Sequence, residues 1–370
     1  MKFFVTVFTT LLIQVASGQD LGGFVLKTTN EFRDRFKVPG LAVGIIFPDT
    51  TFMAVSGVKR NGSNRLIDFD SKFQLASNTK AITATIAADL VEDGVIEWDS
   101  KLLDVVPELS KCHESYHNLT LSQLLNHRAM LPAFEDNKSK EWRGIPKGIE
   151  NSINPRLAYA EYALDLEPMN IGTHSYSNAG YIIAALMLEK ATNKQWSQLV
   201  FDFCMKIKID AFCGFPAEED LEETNGHQKK VGDYKPVDFD QETELGSYFS
   251  PSGNFSLSIR DLSKVVGHHL EGLLGIDNVL KSETYEYLHY GYEEYSLGWY
   301  NGNVGDTDQR FSYHGGSLGT FSSAVLISPD RKLGIVILVN ADGRQITDMK
   351  NELRIKLWDR FKNITNRNTP

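Results

Sequence analysis

The chain has 370 residues, 42% of them hydrophobic and 23% charged, with a formal net charge of −10. That length suits two domains or one large two-lobed unit with a sizeable core. An acidic balance without a basic cluster disfavours nucleic acid and anionic membranes as partners and points to a small or neutral substrate.

Met1-Lys2 leads into an apolar stretch over residues 3–15, followed by the small residues Ala16-Ser17-Gly18. This is the order of a secretory signal peptide, so residues 1–18 are expected to be removed and residues 19–370 to fold outside the cytoplasm. No other stretch is long and apolar enough to span a bilayer, and membrane insertion is not expected. Phe24, Thr28, Phe32 and Phe36 recur at helical spacing and predict a helix ending before Pro39-Gly40. Two β-type runs, residues 41–47 and 51–58, flank Pro48-Asp49-Thr50 in a hairpin pattern.

Ser77-Asn78-Thr79-Lys80 comes next, at the start of a helix predicted from residue 79 to Asp93 and stopped by Gly94. One helical turn brings a hydroxyl and an amine three residues apart onto one face. At a helix N-terminus the unpaired N–H groups favour negative charge beside Ser77, which suits a nucleophile; the same spacing also suits a capping serine and a solvated lysine.

Further helices are predicted over residues 121–126, 157–164, 179–191, 196–205 and 259–270. Polar stretches at 137–154 and 216–244 lack a period and read as surface excursions or lids. Of three cysteines, Cys204 and Cys213 close the shorter loop with each other and are the expected disulfide, with Cys112 left over. No Cys/His spacing resembles a zinc site, since His268 and His269 are adjacent and point to different helix faces. Neither a metal nor a cofactor is expected. Sequons start at Asn61, Asn118, Asn137, Asn254 and Asn363, and some of them are expected to carry glycan.

Thr173-His-Ser-Tyr176-Ser-Asn178 precedes the helix at 179–191. Two residues apart, Tyr176 and Asn178 project to one side of an extended or turning loop. A phenol near an ammonium can exchange a proton with a serine hydroxyl, and an amide can hold a lysine with its oxygen and a substrate with its nitrogen. Tyr313-His314-Gly315-Gly316-Ser317 precedes strands predicted at 321–327 and 333–339, and the two glycines let another backbone approach an exposed strand. A helix over 346–358 closes the chain.

S-x-x-K, Y-x-N and H-G-G in this order resemble the serine β-lactamase and penicillin-binding-protein superfamily, most closely its class C β-lactamase-like group of D,D-carboxypeptidases, D-amino acid peptidases and esterases. The likeness extends to Leu121–His127 with Leu131-Pro132, to Ser252-Gly253-Asn254-Phe255-Ser256 before Arg260-Asp261-Leu262, to Ser296-Leu-Gly-Trp299, and to Asn340. It implies an α+β fold: a central antiparallel sheet from both chain ends (about 21–60 and 295–362), flanked by helices, with a mainly helical lobe (about 77–290) inserted.

For the site the resemblance implies Ser77 as the acylated nucleophile, with Lys80 and Tyr176 sharing the base role. Asn178, His314, Gly315, Gly316 and Ser317 would bind substrate, with the backbone N–H groups of Ser77 and Ser317 forming an oxyanion hole. His127, His174 and Trp299 are secondary candidates for lining the cleft. Relatives with Lys-Thr-Gly at the third motif present a fixed cation to a substrate carboxylate. His314-Gly315-Gly316 replaces it with an imidazole that is mostly neutral at pH 7. The expected activity is therefore hydrolysis of an ester or small amide without a free carboxylate. The alternatives are a β-lactamase, a D-amino acid peptidase or carboxypeptidase, an acyltransferase, or an inactive secreted binding protein.

Overall fold

Leu41, Val43, Ile45, Ile335, Ile337 and Val339 come from opposite ends of the chain and share one buried cluster. They lie on strands β1 (Gly40–Ile46) and β11 (Leu333–Val339), each buried along its whole length. The two pair antiparallel, with Leu41 opposite Val339 and Ile46 opposite Gly334. β-branched side chains fit a pleated surface covered on both faces, which is why these runs find the centre of the sheet. The computed structural model describes residues 4–135, 137–169, 173–230, 232–238, 246–305 and 307–364, with side chains from residue 20. The expected leader, residues 1–18, lies outside the described side chains.

Four more strands complete the sheet: β2 (Thr51–Gly57), β8 (Tyr300–Asn303), β9 (Arg310–Ser317) and β10 (Ser322–Ser328). Their order is β2-β1-β11-β10-β9-β8, and every pairing is antiparallel. Helices α1 (Phe4–Phe36) and α9 (Arg344–Phe361) cover one face, where Ile346, Met349, Leu353 and Leu357 join the β1/β11 side chains. Helix α7 (Ile259–Leu273) covers the other, where Ala42, Ile46, Val336 and Leu338 meet Leu262, Val265 and Val266. This is the expected α+β architecture with a sheet drawn from both chain ends.

The intervening lobe contains α2 (Thr79–Glu92), α3 (Leu121–Leu125), α4 (Pro155–Asp165), α5 (Asn178–Thr192), α6 (Trp196–Ile207) and α8 (Ser282–Tyr290). Helix α5 is buried all round from Asn178 to Leu188, so it forms the centre of this lobe and fixes Asn178 at its first turn. Two short sheets bridge the lobes: β3 (Lys72–Gln74), β7 (Ser256–Ser258) and β4 (Ala211–Phe212) in that order, and the hairpin of β5 (His227–Lys229) with β6 (Tyr234–Pro236).

His314-Gly315-Gly316 lies ahead of the last two strands, β10 and β11, as the sequence indicated, and is itself part of strand β9. Glycines carry no β propensity, and pairing with β10, not local preference, makes the strand. Two expectations change. Cys204 and Cys213 are free thiols, as is Cys112. A bridge needs facing Cβ atoms rather than a short loop, and both thiols sit desolvated, which pushes each up to about 12. The Asn254 sequon is buried, its side-chain oxygen accepting a hydrogen bond from Gln74 at 3.2 Å, so no glycan fits there. No described helix is long and apolar enough to cross a membrane.

Candidate active site

Ser77 sits in a single 3-10 turn, Ala76–Asn78, that runs straight into α2. Ala76 just before it has φ +50°, a left-handed conformation that an alanine holds only when its surroundings impose it. The clamps are visible. The Ala76 N–H donates to Gln74 Oε1, and Gln74 Nε2 donates to the Gly253 carbonyl at 2.5 Å. On the sheet side Ser323 Oγ donates to the Leu75 carbonyl at 2.6 Å and accepts from Asn78 Nδ2 at 2.7 Å. The Ser77 turn is thus held between β10 and the segment before β7.

Gly316 is part of the same fit. A Cβ there would lie 2.1 Å from the Leu75 carbonyl oxygen and 2.4 Å from Ser323 Oγ, so only glycine lets β9 press against the turn. A Cβ on Gly315 would meet nothing within 4 Å, which leaves open space above the strand. Strand β8 pairs with β9 only across residues 310–313, so β8 leaves the outer edge from His314 to Ser317 unpaired.

Lys80, fully buried, places Nζ 3.3 Å from Ser77 Oγ, 2.7 Å from Asn178 Oδ1 and 2.6 Å from the Ser252 carbonyl. A neutral amine has two N–H donors and one lone pair. Here two oxygens can only accept, and the remaining neighbour is a hydroxyl, so a neutral Lys80 aims its lone pair at the Ser77 proton. Burial lowers its pKa to about 7, with the Glu135 carboxylate pulling back upward.

Tyr176 completes the other side. Ser77 draws the phenol pKa down, yet burial keeps it well above its ordinary value of 10. Lys80 Nζ lies 4.8 Å from the centroid of its ring, and His127 packs against that ring at 4.3 Å. Of the two groups, burial brings the Lys80 ammonium near neutrality and disfavours the Tyr176 phenolate.

Asn178 orients Lys80: its Nδ2 donates to the Phe134 carbonyl at 2.8 Å and its backbone N–H to Ala133 at 2.9 Å. His127 holds the same loop, accepting the Ser177 N–H on Nδ1 at 3.1 Å and the Ser175 N–H on its carbonyl at 2.8 Å. His174 packs edge-on to His127 at 5.8 Å and stacks on Tyr295 at 5.6 Å, while Trp299 is buried against His289. The Phe134 carbonyl and the Ser252 carbonyl are the partners that motif reading misses, because a backbone oxygen leaves no mark in the residue alphabet. Glu135, which follows Phe134, is also new, and its carboxylate is felt by Lys80, Tyr176 and Tyr300.

His314 is buried, its Nδ1 on the Gly315 carbonyl at 2.9 Å and its Nε2 on the Tyr295 hydroxyl at 3.1 Å. Burial, reinforced by Lys80, lowers its pKa to about 3, so the ring is neutral in any ordinary buffer. The Ser317 side chain is turned away, donating to Asp342. Among the described residues no cluster of His, Cys, Asp and Glu could hold a metal ion.

Sheet, inserted helical lobe and the Ser77–Lys80–Tyr176 arrangement together define the serine β-lactamase and D,D-peptidase class of fold. The chain belongs to the Beta-lactamase family, which it matches over residues 27–357. It superposes on the β-lactamase of Sulfitobacter sp. EE-36 with a TM-score of 0.72 at 17% identity, covering 92% of this chain and 99% of that one. With the D-alanine carboxypeptidase AmpC of Burkholderia cenocepacia the TM-score is 0.73 at 20% identity, covering 93% and 99%. Among curated proteins it is 23% identical over 309 residues to Protein flp of Staphylococcus aureus strain MW2, covering 78% of this chain and 56% of that protein. The chain therefore spans about half the length of the curated relatives it matches. It is also 25% identical over 191 residues to the unguisins hydrolase ungD' of Aspergillus campestris, covering 50% and 34%.

Proposed function

We propose that this chain is a secreted serine hydrolase that cleaves an ester or small amide through an acyl-enzyme on Ser77. The observation that carries the reading is Lys80 Nζ, buried 3.3 Å from Ser77 Oγ and tied to two carbonyl acceptors. Ser77 Oγ attacks the acyl carbon while its proton passes to Lys80. The oxyanion rests between the Ser77 and Ser317 N–H groups. Lys80 returns the proton by way of the Tyr176 hydroxyl to the departing alkoxide or amine. A water then gives a proton to Lys80 and attacks the acyl carbon, the bond to Ser77 breaks as Lys80 passes that proton back to Ser77 Oγ, and the acid leaves.

Substrate choice follows from charge. The third motif brings a neutral imidazole instead of a fixed cation, and Glu135 sets a carboxylate near the base. Both disfavour a substrate carboxylate, and Gly315 leaves room for a bulky acyl group. A D-amino acid amide is the second reading, because a carboxylate at the mouth suits a substrate ammonium group. Secretion rests on the leader pattern of residues 1–18, and the sequons other than Asn254 are the candidate glycan sites.

Turnover of p-nitrophenyl acetate and butyrate by the purified chain is the test. Ser77→Ala is expected to lower kcat by roughly 10⁶-fold, as removal of a catalytic serine does elsewhere, and to prevent labelling by a fluorophosphonate. An unlabelled wild-type chain would identify it as a binding protein. D-alanine p-nitroanilide turned over faster than its N-acetyl form would select the second reading.

A further inference from the structure

Lys350, on α9 behind the sheet, is a buried lysine that none of the three motifs includes; it is 8% exposed. Its Nζ donates to the Gly316 carbonyl at 3.2 Å and to the Ser323 carbonyl at 2.9 Å. Gly316 and Ser323 stand opposite each other in the β9–β10 ladder, and Ser322 Oγ also donates to the Gly316 carbonyl at 3.1 Å. The Gly316 C=O therefore points into the seam between β9 and β10. A trans peptide is planar, with its C=O and the following N–H directed oppositely. The N–H on that peptide belongs to Ser317, and it must face the outer edge that β8 leaves open.

A cation on the oxygen of a peptide draws electron density from its nitrogen and makes the N–H a better donor. We propose that Lys350 is a positioning residue for catalysis: from behind the sheet it polarises and orients the Gly316–Ser317 peptide, strengthening the Ser317 N–H as an oxyanion donor. Asp342 supplies its counter-charge and holds the same strand end. Buried at 7% exposure, it accepts from Ser317 Oγ and from the Gly319 N–H at 2.8 Å. Burial lowers the Lys350 pKa to about 8; Asp342 raises it, and Arg354 on the same helix lowers it. Tyr234 on β6 also feels the Asp342 charge, which adds to burial in raising its pKa. The lysine is thus charged at pH 7 and loses its charge just above pH 8. The polarisation disappears with it.

This inference rests on the hydrolase reading, and wild-type labelling of Ser77 by a fluorophosphonate decides that reading separately. Lys350→Met keeps the length of the chain and removes the charge. It is expected to lower kcat/KM for p-nitrophenyl acetate about tenfold, short of the 10²–10³ for deleting an oxyanion donor. It should weaken phenylboronic acid, whose tetrahedral Ser77 adduct puts an oxygen in the same place, by a similar factor. Lys350→Arg should restore both in part. The wild-type pH profile should rise with a midpoint near 7, from Lys80, and fall near 8; Lys350→Met should keep the rise and lose the fall. Boronate affinity within twofold of wild type, or a fall that persists in Lys350→Met, overturns the proposal. If Lys350→Met does not fold, Asp342→Asn is read instead. Without the carboxylate the fall should move to lower pH, and an unmoved fall overturns the proposal.

Discussion

Lys80 and Lys350 are buried in different lobes, and each donates to two oxygens that can only accept: Asn178 Oδ1 and the Ser252 carbonyl for the first, the Gly316 and Ser323 carbonyls for the second. What differs is the third neighbour. Beside Lys80 stands the Ser77 hydroxyl, which can give up a proton, and its nearest counter-charge, Glu135, is on the exposed rim. Lys350 instead feels the charge of Asp342, itself buried, and among the described residues no hydroxyl is seen donating to its amine. Burial lowers both, to about 7 and about 8, with Glu135 raising the first and the buried Asp342 the second. The pair teaches that two carbonyl acceptors make a buried lysine tolerable, while the remaining neighbour separates the proposed base from the proposed fixed cation.

The largest expected effect breaks the first half of that contrast. Lys80→Met should lower kcat for p-nitrophenyl acetate by about 10²–10⁴-fold and remove the rise near pH 7. It should also alter stability. Folded Lys80 gives up its proton near pH 7, whereas the unfolded chain keeps it to about 10.4. The unfolded state binds more protons between those values, so wild-type stability rises with pH across that window. Urea titrations at several pH values should show this rise flattened in Lys80→Met, leaving the part contributed by Lys350 above about 8.

Tyr176→Phe tests whether Lys80 alone carries the base role. The ring that packs on His127 remains, and turnover should fall about 10²-fold with the rising limb still near pH 7. A limb that moved would return the base role to the phenol. Gly316→Ala attacks the contact between β9 and the nucleophile turn. Its Cβ would collide with the Leu75 carbonyl, and a loss of about 1–3 kcal/mol in urea unfolding is expected, with weaker fluorophosphonate labelling. Glu135→Gln gives the smallest shift. Losing a rim carboxylate that raises the Lys80 pKa moves the rising limb to lower pH, by roughly 0.2–0.7 unit for a charge pair worth about 0.2–1 kcal/mol. The same variant should accept a carboxylate-bearing ester better than wild type does, read as the ratio of kcat/KM for p-nitrophenyl hemisuccinate to that for p-nitrophenyl acetate.

Local order carried much of the chemistry into view. Ser77 and Lys80 are one helical turn apart, Tyr176 and Asn178 are two residues apart, and the apolar runs of β1 and β11 announce buried strands. Those signals depend on residue type over short spacings, which a sequence displays directly. The strand at 310–317 was less legible because Gly316 is required for its fit against Leu75 and Ser323, not for strand propensity.

By itself, then, the sequence singled out Ser77, its lysine and tyrosine neighbours, the third motif without a fixed cation and a sheet built from both ends of the chain. Only the tertiary structure separated the proposed base from the phenol, because that depends on the Ser252 carbonyl 172 residues from Lys80 and on the desolvation of both groups. It alone placed Lys350 behind the Gly316–Ser317 peptide, left the cysteines unpaired and buried Asn254. The physical reason is common to all four. Backbone oxygens have no letter in the sequence, and burial is a property of the packed chain.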